Sequence, residues 1–413
     1  MKKFLTATTL SAACLWSASA LASGYQLNEY SVTNLGRSFA GAGVVGDDYS
    51  AIAYNPAGMT LKKSGLQASF TMAEVAADVR GQSPDSLGKK TDMDFGVPLP
   101  AAFGQYQIND KWFIGGGVYA PYGLATRYKK DSFVADSARK STLEVIDYNL
   151  STAYKLNSQW SFGASFIARY IYGNMTNNIN HPTAGKIGES EFELDGWTYT
   201  GTLGVMYSPS ENTRVGLSYK PKSIQRVKGD HTITATSPAA AGIAGVYSDG
   251  KSSPDLPETV LLSAYHKPFE KTAFTGSVRF TRWGDSFEKF SMTSTATAGK
   301  PSVKYNWKDS WTISAGTEHY LNDNWTLRFG TAWDQSPSRD NRYRTHRIPD
   351  SDRIWISAGL SYTYNNMQFD LGYAHLFMKK SFIRESGNPA YNDHSSKYEA
   401  YSNMYGLGFQ YNF

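Results

Sequence analysis

Apolar and polar side chains alternate with a period of two along most of this chain. The last nine residues show it most clearly: Tyr405, Leu407, Phe409, Tyr411 and Phe413 share one face, with small or polar residues between them. From Trp160 the positions Phe162, Ala164, Phe166, Ala168, Tyr170 and Tyr172 are apolar, against Ser161, Gly163, Ser165 and Arg169. From Trp325, Leu327, Phe329 and Trp333 oppose Arg328 and Asp334; from Ile354, Ile356, Leu360 and Tyr362 oppose Ser357 and Ser361. Successive side chains of a β-strand point to opposite faces, so each stretch predicts a strand with one greasy and one wet face.

Six short polar turns join these strands in pairs. They fall at Asn109 and Asp110, Asn157 and Ser158, Ser210 to Asn212, Lys267 to Glu270, Asn322 to Asn324, and Asn365 and Asn366, each preceded by a tyrosine and followed by an apolar or aromatic opening. Such turns between period-two runs are hairpin signals. Twelve paired strands, with one more near 64–76 and another near 399–413, predict an all-β fold, a transmembrane 14-stranded antiparallel β-barrel. Seven longer polar segments, near 80–95, 126–142, 174–192, 223–256, 284–304, 336–352 and 379–398, are the expected outer loops. Within the fourth, Ser237 to Val246 is an apolar island, read either as a docking surface or as packing against a neighbouring loop.

The amino-terminal end has the marks of an export signal. Lys2 and Lys3 precede an apolar run from Phe4 to Trp16, and Ala20, Leu21 and Ala22 suit a signal peptidase, so residues 1–22 are expected to be removed. The one cysteine, Cys14, lies inside that signal, which leaves the mature chain without a thiol for a disulfide or a thiolate metal site. Beyond the signal no apolar run reaches the roughly 18 residues of a membrane helix, and mean hydropathy is -0.44. Aromatics nevertheless make up 14% of the chain, with 28 tyrosines, which fits interfacial girdles better than an ordinary core. Of 41 basic residues two lie in the signal, and the remaining 39 nearly balance 36 acidic ones, so nucleic acid is not an expected partner.

Residues 23–62 lack the alternation and are rich in Gly, Ala, Asn and Asp. Their apolar content, including Leu27, Leu35, Phe39, Val44, Ile52 and Met59, argues against a disordered tail, so they are expected to plug the lumen as a hatch, with the barrel over 63–413. The stretch Gly41 to Gly46 spells G-x-G-x-x-G, but no strand–turn–helix context surrounds it, and close backbone packing is the better use of its glycines.

Several stretches are more specific. Gly24 to Ser31, Leu35 to Gly41, Asp47 with Asp48, and Asn55-Pro56-Ala57 resemble the hatch of the FadL family of outer-membrane transporters. The resemblance continues through Tyr122 to Thr126, Ala153 to Asn157, Asp323 to Arg328 and Ile348 to Gly359, so it covers essentially the whole mature chain. It implies a monomer of the Gram-negative outer membrane, set among its lipids, that carries long-chain fatty acids, or aromatic hydrocarbons in some branches, without an energy source. It further implies capture among the outer loops, a pocket in the lumen, and sideways exit through a gap at a kink in the third strand. The hatch would shift around Asn55, Pro56 and Ala57. No cofactor and no metal is implied.

The third strand supports the exit from its own residues. Gly115, Gly116 and Gly117, then Pro121 and Gly123, interrupt what should be a continuous ladder, since proline has no backbone donor and glycine marks bulges. Pro121 can alternatively sit at the strand's outer end. For a carboxylate headgroup the candidates are Arg169 and Arg328, on inward faces, and Lys304, close to where the resemblance places a lysine. The family's arginine has no match, because that stretch reads Met175-Thr176-Asn177-Asn178. Seven histidines lie scattered and no Gly-x-Ser-x-Gly elbow occurs, so an enzyme is not expected. The rival reading from another class is a surface adhesin or phage receptor that uses the long loops.

Overall fold

A strand with one greasy face and no second sheet to cover it leaves that face bare, and a row of such strands loses its edges only by closing on itself. The computed structural model describes residues 24–84, 86–181, 183–297, 302–384 and 394–413; the expected signal, residues 1–22, lies outside them. Fourteen antiparallel strands form the wall: β1 Gly65–Gly81, β2 Lys90–Gln107, β3 Trp112–Arg127, β4 Lys140–Lys155, β5 Trp160–His181, β6 Gly185–Ser210 and β7 Thr213–Lys220. They continue as β8 Thr259–Phe269, β9 Thr272–Thr281, β10 Ser310–Tyr320, β11 Trp325–Asp334, β12 Arg353–Tyr364, β13 Met367–Met378 and β14 Ser396–Asn412. β14 pairs with β1, from Gly65 opposite Asn412 to Gly81 opposite Ser396, which closes the cylinder. Among the described residues no helix is long and apolar enough to cross a membrane.

The expected faces are the observed ones. Phe166, Phe329, Ile356 and Leu407 are exposed on the outside, while Arg169, Arg328, Ser357 and Ser361 are buried inside. The tight turns repeat one device. The side-chain oxygens of Asn109, Asn157 and Asn322 each accept hydrogen bonds from two backbone N–H groups further along the turn. The tryptophan that opens the next strand then lies against a tyrosine directly opposite, Trp112 on Tyr154 at 4.7 Å, Trp160 on Tyr207 at 4.6 Å and Trp325 on Tyr362 at 4.6 Å. These pairs form the girdle at that rim.

The outer end differs from the sequence reading. Residues 174–192, expected as a loop, continue the β5–β6 ladder out to His181 opposite Gly185. Val227–Ala235 pairs along β6, and Gly245–Ser252 pairs along Val227–Ala235, so much of 223–256 is a ribbon rather than a loop. Above the bilayer the outward face is wet and the buried face mixes Val227 and Ile233 with His231, Asn174, Thr176 and Asn178, so no sustained apolar alternation announces these stretches. Within the apolar island only Ala240 is buried, and Ile243 and Val246 stay exposed.

Residues 24–62 are almost wholly buried and include helical turns at Val32–Leu35 and Ala51–Tyr54 and a 3-10 turn at Pro56–Leu61. They touch the inward faces of strands around the ring. Gln105 of β2 donates to the Met59 carbonyl (2.8 Å), Asn55 donates to the Val205 carbonyl of β6 (3.2 Å), the Gly41 N–H reaches Gly276 of β9 (3.3 Å), and the Tyr49 hydroxyl reaches Asn412 of β14 (2.7 Å). Small residues make room. A Cβ at Gly330 would lie 2.1 Å from the Arg37 backbone, and one at Gly36 would lie 2.7 Å from Gly359. The Gly41 to Gly46 stretch serves close packing as expected: Gly43 has φ +81° and sits against Asn55.

Candidate functional site

The wall is interrupted at two places: on one side of β6, where pairing with β7 stops at Leu203 opposite Tyr219 and resumes only at Asp195 opposite Lys228, and between β2 and β3. The β1–β2 ladder runs unbroken from Gly65 opposite Gln105 to Arg80 opposite Lys90, and β3–β4 runs from Trp112 opposite Tyr154 to Arg127 opposite Lys140. Between β2 and β3 pairing extends only from Gln107 opposite Phe113 to Ala102 opposite Val118. Beyond that point the two strands part.

Each strand supplies a reason. In β3 the register shifts between Tyr119 and Tyr122, so that Ala120 and Pro121 together face the single residue Ile146 of β4. A bulge of this kind bends the strand and ends pairing. In β2, Pro98 and Pro100 stand opposite Met72 and Phe70 within an unbroken ladder to β1. A proline keeps its place in such a ladder only with its donor-less nitrogen turned to the other side, which here is the side of β3. The parted edge of β2 therefore offers fewer orphan donors. The parted edge of β3 is covered by the chain's own leading end: the Leu27 N–H donates to the Pro121 carbonyl and the Gly123 N–H to the Tyr25 carbonyl, both at 2.9 Å, with Gln26 bridged to Tyr122.

A depression at the seam is lined both by lipid-facing Leu66, Leu150 and Phe166 and by inward-facing Phe103 and Asn149. It holds about 1030 Å³ of atom-free space, including space open to solvent. Gly115, Gly116 and Gly117 lie beside it but keep full register with both neighbours, so the ladder breaks after the glycine run rather than within it. Gly115 admits Met59 and Ile52 from inside, and Gly117 admits the Phe103 ring. Pro121 sits within β3, six residues short of its end at Arg127, and not at the rim.

Asn55, Pro56 and Ala57 lie against β5, β6 and β7. The Asn55 side chain accepts from the Ala57 N–H (3.1 Å) and so caps the 3-10 turn. A Cβ at Gly204 would lie 2.1 Å from Asn55 Oδ1, one at Gly216 2.6 Å from Asn55 Nδ2, and one at Gly163 2.4 Å from Pro56 and Ala57. Three wall glycines thus form the seat of this motif.

Toward the outer end an apolar chamber opens, lined by Leu143, Ile171, Met175, Phe287, Phe290 and Met292 together with Tyr25, Tyr305 and Arg347. It holds about 590 Å³ of atom-free space, including space open to solvent. Tyr25 thus belongs both to the chamber and to the segment that covers β3.

The three candidate headgroup cations do not face this chamber. Arg169 forms a two-pronged bond with Asp147 (2.6 and 2.8 Å) and donates its remaining nitrogen to Ser223. Arg328 is bonded to Glu318 (2.7 Å) and Asp47 (3.1 Å), and Arg37 meets the same two carboxylates, which ties residues 24–62 to the wall. Asp334, on the same inward face as Arg328, pairs with Arg353. Lys304 is exposed on the Ser302–Lys304 ribbon, 5.8 Å from the Tyr343 ring, while Val303 and Tyr305 turn inward. Strand alternation places it one residue away from a chamber-facing position.

The cation that does line the chamber is Arg347, which sequence reasoning missed. It donates to Ser141 (3.1 Å) and to Asn177 (3.3 Å), so it meets the stretch where the resemblance led one to look for an arginine. It is one of several arginines in its loop, and no local pattern distinguishes it. Glu29, buried in the lumen, accepts from the Asn28 N–H (2.7 Å) through one oxygen, and burial pushes its carboxyl up to about 7. Among the described residues no cluster of three or more His, Cys, Asp or Glu is placed to hold a metal.

Comparison with known proteins supports the fold and gives the family. The family model described as outer membrane protein transport protein (OMPP1/FadL/TodX) matches residues 13–413. The chain is 28% identical to the long-chain fatty acid transport protein of Escherichia coli O6:H1, with 100% of this chain and 99% of that protein covered. Its fold is similar to a solved Pseudomonas aeruginosa FadL homologue, at a TM-score of 0.86 and 21% identity over 94% of this chain and 100% of that one. It is also similar to the Pseudomonas putida toluene transporter TodX, at a TM-score of 0.72 and 18% identity over 94% and 100%.

Proposed function

Because the chain belongs to the OMPP1/FadL/TodX family of outer-membrane transport proteins, we propose that it takes up long-chain fatty acids by lateral release through the β2–β3 seam. The solute is held in the apolar chamber at the outer end, passes the Tyr25–Leu27 segment, and leaves between Pro98 or Pro100 and the Pro121 bulge into the membrane. Residues 24–62 act as the plug that makes this the only way through. Tyr25 supports the coupling, since the ring that lines the chamber belongs to the stretch that stands in for β2 along β3. Displacing that stretch joins chamber to seam. The protein works as a monomer among outer-membrane lipids, as a conduit rather than an enzyme.

The observation that carries this reading is the short β2–β3 ladder, bordered by three prolines and lying between the long β1–β2 and β3–β4 ladders. An apolar solute needs no aqueous pore if the wall itself opens to hydrocarbon. The test is labelled oleate uptake by cells whose only transporter of this kind is this chain, with toluene uptake in parallel. Uptake equal to that of cells lacking the gene, for both solutes, overturns the reading.

A further inference from the structure

Rows of like charge cross the lipid-side face of β2, β1 and β14 toward the outer end of the wall. Strand alternation turns Lys90 and Asp92 of β2, Arg80 and Asp78 of β1, and Lys397 and Glu399 of β14 outward. The register sets Arg80 directly opposite both Lys90 and Lys397, and, one step nearer the membrane, Asp78 opposite both Asp92 and Glu399. Like charges directly opposite one another weaken a sheet, so three cations in register call for an anion. Two of the acids are taken up within the protein: Asp92 pairs with Lys129 (2.8 Å), and Glu399 with Lys397 (2.6 Å) and Lys380 (3.3 Å). Arg80, Lys90 and Asp78 are exposed, and among the described residues none of the three is in an ion pair. Two cations thus stand against one acid with no partner of their own.

The level of these rows in the membrane follows from their neighbours. Tyr401, on the same face as Lys397 and Glu399, lies opposite Phe377, and both rings are exposed at the outer girdle. At a rise of roughly 3.3 Å per residue and a tilt near ~40°, Lys397 stands roughly 10 Å beyond Tyr401, at headgroup depth rather than in hydrocarbon. On the membrane side of the girdle the same sheet carries an apolar groove facing the lipid, lined by Phe70 and Met72 of β1, Leu407 of β14, Leu371 of β13, Leu360 of β12 and Phe329 of β11. It holds about 1120 Å³ of atom-free space, including space open to solvent.

We propose that this face holds one lipid of the outer leaflet, a phosphorylated glycolipid with its phosphate on Arg80, Lys90 and Lys397 and its acyl chains in the groove below. Neighbouring strands lie about 4.8 Å apart, so the three cations converge on a single phosphate, whose oxygens suit the guanidinium fork and the two ammonium groups together. The occupant spans headgroup and hydrocarbon levels at once, as a membrane lipid does and a soluble protein does not. None of the three cations lines the chamber or the β2–β3 seam, so the proposal stands apart from the uptake reading and its failure leaves that reading intact.

The test measures binding of lipid A, with and without its phosphates, to the purified full-length barrel in neutral detergent by native mass spectrometry. Wild-type protein is expected to prefer the phosphorylated lipid by about tenfold or more, the range for several cations at a lipid surface. Combining Arg80→Gln, Lys90→Gln and Lys397→Gln should remove most of that preference and change binding of the dephosphorylated lipid by less than about twofold on the same basis. Equal binding of the two lipids by wild-type protein, or a preference that survives in the triple variant, overturns the site. The acyl-free phosphorylated disaccharide distinguishes a lipid from a soluble phosphate: binding about tenfold or more weaker than that of the lipid supports the groove as part of the site, given the area each chain buries, and equal binding overturns the lipid as occupant. Should the triple variant fail to fold, as judged by heat-modifiable gel mobility, Arg80→Gln alone decides: a loss of about threefold or more confined to the phosphorylated lipid supports the proposal, and an unchanged preference overturns it.

Discussion

Two seams of the same wall, one on either side of the β1–β2 hairpin, solve opposite problems. Where β14 meets β1 the pairing spans both strands, and neither strand contains a proline. Where β2 meets β3 the pairing covers a short stretch near the tight turn, and three prolines border the gap. In hydrocarbon each unsatisfied backbone group costs several kcal/mol, so a barrel wall does not part merely because its side chains are small. It parts where the chain withdraws donors, as at Pro98 and Pro100, or lends other backbone to the orphaned edge, as Tyr25 to Leu27 do along β3. The glycine run beside the gap illustrates the contrast, since it keeps every ladder position.

This contrast is sharpened first by closing the open seam. Deleting Ala120 to remove the bulge, together with Pro98→Thr and Pro100→Thr, is expected to let β2 and β3 zip. Oleate uptake should fall by about tenfold or more while oleate binding to purified protein persists, since every restored ladder bond is worth more in lipid than in water. Uptake at the wild-type rate in a correctly folded triple variant would falsify the gap as the exit.

Next in size is the ionic tie between the wall and residues 24–62, the proposed plug. Glu318→Gln leaves Arg37 and Arg328 sharing Asp47 alone, and removing one partner of such a buried network costs roughly 3–5 kcal/mol. Hydrogen exchange of residues 24–62 should rise while that of the wall strands stays unchanged. Gly204→Val, which drives a side chain into Asn55, should loosen the hatch by about 1–3 kcal/mol on the overpacking scale. Raised sensitivity of cells to large antibiotics would report it.

The smallest effect depends on pH. Glu29 has its carboxyl raised by burial to about 7, so the folded hatch holds a proton that the unfolded chain releases nearer 4.5. Stability from this group is then intact at low pH and declines as pH rises between those values. Glu29→Gln should increase hatch protection at pH 8 and change little at pH 4; protection that is the same in both proteins at pH 8 counts against this account.

The wall was legible because lipid enforces it. Outside Trp160 and Trp325 the bilayer demands hydrocarbon at every second position, and the turns between strands carry Asn residues whose side chains bond their own backbone. The ribbons above the bilayer escaped the same reading, since the buried face of Val227–Ala235 mixes Val227 and Ile233 with Gly229 and His231 and so shows no hydrocarbon period. Pro121 was legible from one strand alone. Pro98 and Pro100 carry the same chemical signal but acquire meaning only when the ladder on each side of β2 is known. The arginines were misread for a related reason: inward direction follows from alternation, but whether a carboxylate is waiting does not. Glu318 comes to Arg328 from the facing strand of its hairpin but Asp47 from far away in the chain, and nothing local to Arg347 reveals that its own neighbours are neutral.

The contacts that seat the leading segment join the extremes of the polypeptide. Gly24 bonds Asp350, and Tyr49 bonds Asn412 in the last strand. Contacts of such long sequence separation form late, because most of the intervening chain must be ordered first. The portion exported earliest therefore completes its bonds only once the last strand is present, the same strand whose pairing with β1 shuts the cylinder, so closure and seating wait on one event.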